Sequence, residues 1–213
     1  MSLHQNEIKK CAKSFKYFYK NYVQANVDNT HVPIEKLTKF QEIFIYELED
    51  GNRHIGEKFT RGCGASHIAL AKFLHMALFT PNQSYQIFLN GVPHLNETRV
   101  NLKIMYDLLP EWLQVSKMLC ANKDHTRFEN NSVIKFALVK TAAIMGMRLN
   151  YVYFDEPAAN TQFSRNMWKL IISTISSDCG ILLVSTETDN PTFWDKLCKY
   201  AACGKINIKY FSD

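Results

Sequence analysis

The stretch Leu149–Glu156, Leu-Asn-Tyr-Val-Tyr-Phe-Asp-Glu, decides the fold class. Its central residues Tyr151–Phe154 form an uninterrupted apolar, β-prone run, which is typical of a strand buried on both faces of a parallel sheet. Two adjacent carboxylates, Asp155 and Glu156, follow directly. Ligands of open α/β sheets bind just beyond the carboxyl ends of the strands. The stretch therefore predicts a ligand site at a strand tip or, as the structural alternative, a strand that runs into an Asp-Glu-Pro turn.

The composition predicts a single globular intracellular domain. A chain of 213 residues that is 46% hydrophobic can bury a substantial core, and eight Gly and six Pro exclude long disordered linkers. The net charge of +5 permits a nucleic-acid partner without requiring one. Six scattered cysteines without a Cys-x-x-Cys pair argue for reduced thiols and against a zinc site. No apolar run approaches the roughly 20 residues of a membrane span, so we expect no membrane partner.

Predicted strands and helices alternate through residues 51–213. The strands are Arg53–Phe59, Tyr85–Leu89, Gly180–Ser185 and Ile206–Phe211, and the helices are Ile68–Phe79, Leu95–Leu109, Phe163–Ile175 and Thr192–Ala202. This alternation predicts an α/β fold with a doubly wound, mainly parallel sheet and helices on both faces. Two further runs, Thr126–Phe128 and Val133–Leu138, flank a polar turn and predict a small antiparallel hairpin insertion within Met118–Val139.

Residues 1–50 predict a helical N-terminal segment of the same single domain, which spans residues 1–213. Apolar spacings of three and four predict helices over Glu7–Gln24 and Ile34–Glu49, joined by a polar loop over Asn26–Pro33. Five lysines lie off the apolar stripe of the first helix and are expected on a solvated face, with DNA phosphates as the alternative partner: Lys9, Lys10, Lys13, Lys16 and Lys20.

A glycine-rich loop lies between the first sheet strand and its helix. Thr60–Ser66, Thr-Arg-Gly-Cys-Gly-Ala-Ser, follows the strand Arg53–Phe59 directly. Glycines let backbone amides turn toward an anion, and the N-terminus of the following helix adds positive potential. Strand, loop and helix together predict a phosphate-binding loop.

These motifs, in this order, resemble the ATPase domain of the large terminase subunit, the DNA-packaging motor of tailed bacteriophages. The resemblance covers nearly the whole chain, and each of its matching stretches is short. They are Phe15–Tyr22, Phe40-Gln41, Arg61–Ser66, Leu108–Leu113, Gly146–Arg148, Tyr153–Glu156 and Ser185–Glu187.

The resemblance implies a P-loop NTPase-like fold that binds ATP and Mg²⁺. It implies that Ser66 and Asp155 hold the Mg²⁺ ion, that Glu156 activates the attacking water, and that Thr186 senses the γ-phosphate. Arg148 is expected to be structural. The remaining implied site residues are Arg61 as an arginine finger, Gln41 at the adenine, and Gly62, Cys63, Gly64, Ala65 and Ser66 around the phosphates.

The resemblance also implies partners and a location. Double-stranded DNA would be the substrate, with the portal protein and the small terminase subunit as protein partners and a homo-oligomer as the assembly. The protein would act in the cytoplasm of the bacterial host cell and at the portal vertex of the procapsid.

Two departures from the family pattern bear on activity. The loop position that carries the phosphate-neutralising lysine is Ala65 here, and the chain stops at Asp213 without a nuclease domain, so no DNA cutting is assigned. Lys58 stands three residues before Arg61, the offset at which some terminases carry a substitute lysine, although it is equally compatible with an ordinary strand-end lysine. Lys72, on the following helix, is expected on a solvated face.

Two functions therefore remain open from sequence. The chain is a terminase-type packaging ATPase, as the intact Asp155-Glu156 pair favours, or a catalytically impaired relative with a regulatory or structural role in a phage or mobile-element system, as Ala65 favours. An ABC-type ATPase is set aside because its Leu-Ser-Gly-Gly-Gln signature is missing upstream of the acidic strand.

Overall fold

A computed structural model describes residues 3–27, 30–49, 53–122, 124–140, 148–186 and 193–212 of the chain. Its strands are β1 (Gln24–Val27), β2 (Thr30–Pro33), β3 (Arg53–Phe59), β4 (Ser84–Leu89), β5 (Met118–Ala121), β6 (His125–Phe128), β7 (Val133–Leu138), β8 (Tyr151–Asp155), β9 (Gly180–Thr186) and β10 (Lys209–Ser212). Its helices are α1 (Leu3–Lys13), α2 (Phe15–Tyr22), α3 (Lys39–Glu49), α4 (Ala65–Phe79), α5 (Val92–Asp107), α6 (Arg165–Thr174) and α7 (Phe193–Ala202).

Eight strands form one mainly parallel sheet in the order β10-β3-β9-β8-β4-β7-β6-β5. From β10 to β7 each neighbouring pair is parallel, so the carboxyl ends of these strands share one edge of the sheet. The strand that decides the fold class, β8, lies between β9 and β4, and all five of its residues are buried. The predicted doubly wound fold is confirmed.

Helices cover both faces of the sheet because its central strands are apolar on both faces. In β8, Tyr151 and Tyr153 pack into the core beneath α2, α3, α4 and α5, whereas Val152 and Phe154 pack into the core beneath α6 and α7. Successive side chains of a strand point to opposite faces, so one apolar run feeds two cores. Among the described residues, no helix is both long and apolar enough to cross a membrane.

The N-terminal segment departs from the prediction in two places. The predicted helix Glu7–Gln24 is interrupted at Ser14, whose hydroxyl accepts a hydrogen bond from the Tyr17 backbone N–H and begins α2. Such a cap competes with helix continuation, which explains the break. The predicted polar loop Asn26–Pro33 is wrong, because β1 and β2 pair there as an antiparallel ribbon.

The predicted antiparallel hairpin is present but is not a separate insertion. β6 pairs antiparallel with both β5 and β7, and β7 is hydrogen-bonded in parallel to β4. The hairpin therefore extends the main sheet to its edge. The pairing partner of β7 is a strand more than 40 residues away, which a local pattern does not encode.

The expected solvated face for Lys72 is wrong. α4 packs between the sheet and the N-terminal helices, and ten of its side chains are buried. Lys72 is largely shielded from solvent, its Nζ lies 5.1 Å from the centroid of the Phe15 ring, and burial lowers its pKa to about 8. A helix that is apolar on most sides has no fully solvated face to offer.

His75 joins α4 to the end of α1 and introduces a pH dependence. Its Nε2 lies 2.8 Å from the Cys11 carbonyl oxygen, and three aromatic rings surround the imidazole: Phe15, Phe18 and Phe79. Burial lowers the pKa of His75 from 6.5 to about 4; the nearby Lys72 ammonium acts in the same direction, and Glu49 opposes it. His75 is therefore neutral in the folded protein near neutral pH.

The low pKa of His75 predicts loss of stability in mild acid. Below about pH 6.5 the unfolded chain binds a proton on His75 that the folded chain takes up only near pH 4, so acidification favours unfolding. At 1.36 kcal/mol per pKa unit, His75 should remove about 2 kcal/mol from the free energy of unfolding between pH 7 and pH 5. Urea unfolding of the wild type and His75→Gln at both pH values measures it. Equal pH slopes in the two proteins would contradict the prediction.

Gly180 is required at the start of β9 by a close approach to Tyr151. A Cβ atom at Gly180 would lie 2.1 Å from Cδ2 of the buried Tyr151 ring, which cannot move freely between its neighbours. We expect Gly180→Ala to lower the free energy of unfolding by roughly 1–3 kcal/mol, the usual cost of overpacking a core. The control is Gly91→Ala, whose new methyl would meet its nearest neighbour at 3.8 Å. Equal stability losses in the two variants, measured by chemical denaturation, would refute the steric explanation.

Candidate functional site

The loop between β3 and α4 is held open toward the strand tips by glycines. Gly62 and Gly64 have φ angles of +80° and +89°, a conformation that side chains with a Cβ rarely adopt. The Cys63 backbone N–H donates to the Thr60 carbonyl, which closes the turn, and Ala65 begins α4. The described loop therefore has the strand–turn–helix geometry that the sequence predicts.

Gln41 braces this loop. Its Nε2 donates to the Cys63 carbonyl oxygen at 3.1 Å, and its Oε1 accepts from the Thr38 backbone N–H at 3.1 Å. A Cβ atom at Gly64 would lie 3.1 Å from the same Nε2, so glycine permits the contact. The structure thus ties Gln41 to the loop backbone, while its predicted role at adenine stays a prediction.

Asp155 lies at the tip of β8 and receives hydrogen bonds from two sides. The Ser66 hydroxyl donates to its Oδ1 at 3.1 Å, and the Tyr153 hydroxyl donates to the same oxygen at 2.7 Å. Its other oxygen, Oδ2, lies 3.2 Å from Nε2 of His94. The Asp155 side chain is only 3% exposed, so these contacts replace most of its hydration. The predicted meeting of Ser66 and Asp155 is present.

Sequence reasoning missed His94. It lies in the first turn of α5, just after the tip of β4, and 61 positions separate it from Asp155. The hydrogen bond to Asp155 raises the pKa of His94, and burial opposes the shift. Its sequence signal is weak because the predicted helix begins at Leu95 and leaves this histidine in a turn. A titratable residue immediately beyond a predicted strand tip is the feature that would have pointed to it.

Glu156 is held in a strained backbone conformation by its neighbours on β9. Its φ and ψ angles are 55° and 48°, and its backbone N–H donates to the Val184 carbonyl. Its Oε2 accepts hydrogen bonds from the Ser185 hydroxyl at 3.1 Å, the Thr186 backbone N–H at 3.0 Å and the Thr186 hydroxyl at 2.9 Å. Left-handed non-glycine residues cost energy and cluster at functional sites. Thr186 and Glu156, predicted separately, therefore meet directly.

Asn90, which the sequence analysis did not select, secures the turn behind Glu156. Its Nδ2 donates to the Glu156 carbonyl oxygen at 2.6 Å, and its Oδ1 accepts from Nδ2 of Asn160 at 2.8 Å. These bonds link the tip of β4 to the turn after β8 and explain how the left-handed Glu156 is kept in place.

A cavity of about 490 Å³ opens at the strand tips between these elements. Its lining includes the whole loop from Arg61 to Ser66, together with Asn90, His94, Glu156 and Thr186. Asp155 lines an adjoining cavity of about 240 Å³ that shares Ser66 and His94 with the first. The structure thus brings together most of the predicted site.

Three predicted positions lie apart from this cavity or outside the description. Lys58 belongs to β3, but its side chain is outside the described part of the structure. Glu187 and the Gly146-Met147 pair also lie outside the described residues. Arg148 precedes β8 and lies at the opposite edge of the sheet from Asp155, near Asn150 and Asp178.

Ser66 and Asp155 fit a Mg²⁺ ion. Hydroxyl and carboxylate oxygens are the ligands that Mg²⁺ prefers, and neighbouring ligands about 2.1 Å from one ion lie about 3 Å apart, close to the 3.1 Å between Ser66 Oγ and Asp155 Oδ1. In the described part of the chain, no cluster of three or more His, Cys, Asp or Glu side chains is placed to hold a metal by itself. A bound phosphate would therefore have to complete the coordination.

By sequence, no family model and no curated protein matches this chain. By structure, it is similar to the large terminase of bacteriophage HK97, with a TM-score of 0.72 and 14% identity over 100% of this chain and 44% of that one. The ATPase domain of the Thermus phage P74-26 large terminase gives 0.62 and 13%, covering 78% of each chain. The large terminase of a thermophilic bacteriophage, in complex with ADP, gives 0.58 and 16% over 78% of this chain and 40% of that one.

The likeness extends to another group of proteins with a related core. A DEAD box protein from Methanococcus jannaschii matches with a TM-score of 0.53 and 12% identity over 81% of this chain. The chain spans less than half the length of the HK97 protein and of the ADP-bound terminase. Identities of this size establish shape alone. The chain has the P-loop NTPase-like fold found in the ATPase domain of phage large terminases.

Proposed function

We propose that the chain is a terminase-like P-loop ATPase domain that binds ATP with Mg²⁺ at the tips of β3 and β8. The observation that carries this proposal is the 3.1 Å contact between Ser66 Oγ and Asp155 Oδ1. It joins the phosphate-binding loop to the acidic strand at the point where a loop serine and a strand aspartate hold the ion in this class of enzyme.

In this proposal the loop backbone binds the phosphates. The amides of Gly62, Cys63, Gly64 and Ala65 and the N-terminus of α4 face the cavity and supply positive potential. Arg61 is exposed at the mouth of the same cavity, where a guanidinium would act as a finger on the γ-phosphate. Mg²⁺, when bound, would neutralise charge on the β- and γ-phosphates.

Glu156 is the proposed general base. Its carboxylate is anchored by Ser185 and Thr186, so only one oxygen is committed by the contacts on β9. Its other oxygen, Oε1, would orient and deprotonate the attacking water. Thr186 would then report the state of the site to β9, because any shift of Glu156 alters three hydrogen bonds on that strand.

We further propose that hydrolysis drives double-stranded DNA into a capsid. The likeness to the three phage large terminases supports this proposal, and the net charge of +5 is compatible with DNA. The partners would be the portal protein, the small terminase subunit and further copies of this chain, in the bacterial host cytoplasm at the procapsid portal vertex.

Ala65 favours a second candidate, a catalytically impaired relative with a regulatory or structural role. The residue lines the cavity at the lysine position of the loop and is 6% exposed. Without an ammonium there, the anionic phosphates lose a stabilising partner that is worth most in a poorly hydrated site. This candidate predicts weak nucleotide binding without turnover.

Calorimetry with ATP in Mg²⁺ and in EDTA tests the proposed site. We expect Mg²⁺ to tighten ATP binding by about tenfold in the wild type, the scale of one charge-assisted contact. Ser66→Ala and Asp155→Asn should each remove that difference. Ser173→Ala, which changes an exposed serine of α6, is the matched control. An ATP affinity in the wild type that ignores Mg²⁺ would defeat the proposal, and turnover with DNA present separates the motor from the impaired relative.

A further inference from the structure

A second cavity lies on α4, away from the strand tips. It has a volume of about 650 Å³ and opens between α4 and the junction of α1 with α2. Its lining includes Lys10, Lys13, Ser14, Phe15, Lys72 and His75. Lys72 follows Ser66 by six positions, about 9 Å along the helix axis at 1.5 Å per residue, so the cavity is separate from the nucleotide site.

Lys72 contributes an ammonium group that has no direct carboxylate partner. Among the described residues, no carboxylate oxygen lies within ion-pair distance of its Nζ, which instead lies over the Phe15 ring at 5.1 Å. The acid of this cavity, Glu49, is engaged elsewhere: its Oε1 accepts from the Ser14 hydroxyl at 2.8 Å and from the Lys16 backbone N–H at 2.9 Å. A largely buried cation of this kind is stabilised by an anion.

His75 contributes a lone pair that has no donor. The Cys11 carbonyl can only accept, so Nε2 of His75 carries the proton in their 2.8 Å contact. The ring is neutral near pH 7, and Nδ1 is therefore unprotonated. His75 is 7% exposed, and its Nδ1 is buried without a hydrogen-bond partner among the described residues. A ligand that satisfies Nδ1 must donate a proton in a hydrogen bond.

We propose that this cavity binds a phosphate group that keeps one proton, as inorganic hydrogen phosphate or as a phosphate monoester. Its anionic oxygens accept from the Lys72 ammonium, and its remaining hydroxyl donates to Nδ1 of His75. Lys10 and Lys13 at the rim add positive potential, although Lys10 already pairs with Glu7 at 2.7 Å. Sulfate has the same shape and a similar charge but no proton near neutral pH, so it cannot make the second bond.

The proposal is independent of ATP hydrolysis and is tested on the whole chain. Sodium phosphate, methyl phosphate and sodium sulfate are titrated near pH 7 while the ¹⁵N resonances of the histidine rings are followed. We expect phosphate to shift the His75 Nδ1 resonance, with an affinity at least about tenfold above that of sulfate, because one hydrogen bond is missing for sulfate. Because the resonance is local, phosphate bound at the strand tips does not interfere.

Two variants assign the contacts. Lys72→Met keeps the apolar stem and removes the ammonium, so it should weaken phosphate binding, read at His75, by at least about tenfold. His75→Gln keeps a donor to the Cys11 carbonyl and removes the imidazole acceptor, so calorimetry should find phosphate reduced to the level of sulfate. Lys20→Met, on an exposed face of α2, is the control and should change neither affinity.

The ligand arms separate the two sources of the phosphate group. Methyl phosphate binding as well as inorganic phosphate would assign the site to monoesters, and a preference for inorganic phosphate would assign it to the free ion. An unmoved Nδ1 resonance in the wild type, or equal affinities for phosphate and sulfate, would overturn the proposal. That measurement needs no variant and so does not depend on how well the variants fold.

Discussion

Replacing Glu156 by Gln should abolish ATP turnover and leave ATP–Mg²⁺ binding nearly unchanged. The amide has the shape of the carboxylate but cannot accept the proton of the attacking water. Loss of a general base typically lowers the rate by about 10² to 10⁴. Because Ser66 and Asp155 hold the proposed ion without Glu156, affinity should survive.

The local structure makes this substitution interpretable. The Glu156 backbone is fixed by its bonds to the Val184 carbonyl and from the Asn90 side chain, so Gln should keep the turn. Single-turnover hydrolysis together with calorimetric ATP affinity measures the effect. Glu129→Gln, an exposed acid in the β6–β7 turn, is the control. If Glu156→Gln turns over at the wild-type rate, another group is the base; if the wild type itself is inactive, the impaired relative is favoured.

Replacing Ala65 by Lys should tighten ATP binding substantially. A new charge-assisted hydrogen bond to the phosphates contributes roughly 1–3 kcal/mol, which corresponds to about a five- to 150-fold lower Kd. Ala65 lines the cavity, so a longer side chain there can extend toward a bound nucleotide. ATP titrations of both proteins in Mg²⁺ provide the test. Unchanged affinity, with brisk turnover already in the wild type, would show that the loop does not need this lysine.

Lys58 is the alternative source of the missing charge, and the same titration decides on it. If it serves as the substitute lysine, Lys58→Ala should abolish ATP binding, and Lys58→Arg should restore only part of it because a planar guanidinium differs from a compact ammonium. Lys72 is unsuitable as a control because it is largely buried against Phe15. Lys169, exposed on α6, takes its place. Matching small effects of Lys58→Ala and Lys169→Ala would leave the chain without a substitute lysine.

Local sequence patterns were sufficient for the elements that frame the site. The strand Arg53–Phe59 has the predicted bounds, and the apolar run before Asp155 is the buried central strand. Apolar runs, glycine turns and strand–helix alternation act over a few residues, and the handedness of βαβ connections brings the carboxyl ends of parallel strands to one edge. The meeting of Ser66 with Asp155 follows from that rule, which is why it could be predicted.

Tertiary structure alone decided the contacts between distant segments. Nothing near His94 in the sequence indicates Asp155 as its partner, and Gln41 reaches the Cys63 carbonyl across 22 positions. Lys72 looked solvated in a local pattern, yet α2 and the Phe15 ring cover it. Side-chain burial and pKa depend on which helices dock against each other, and docking is set by the summed shape of both faces rather than by the periodicity of either one.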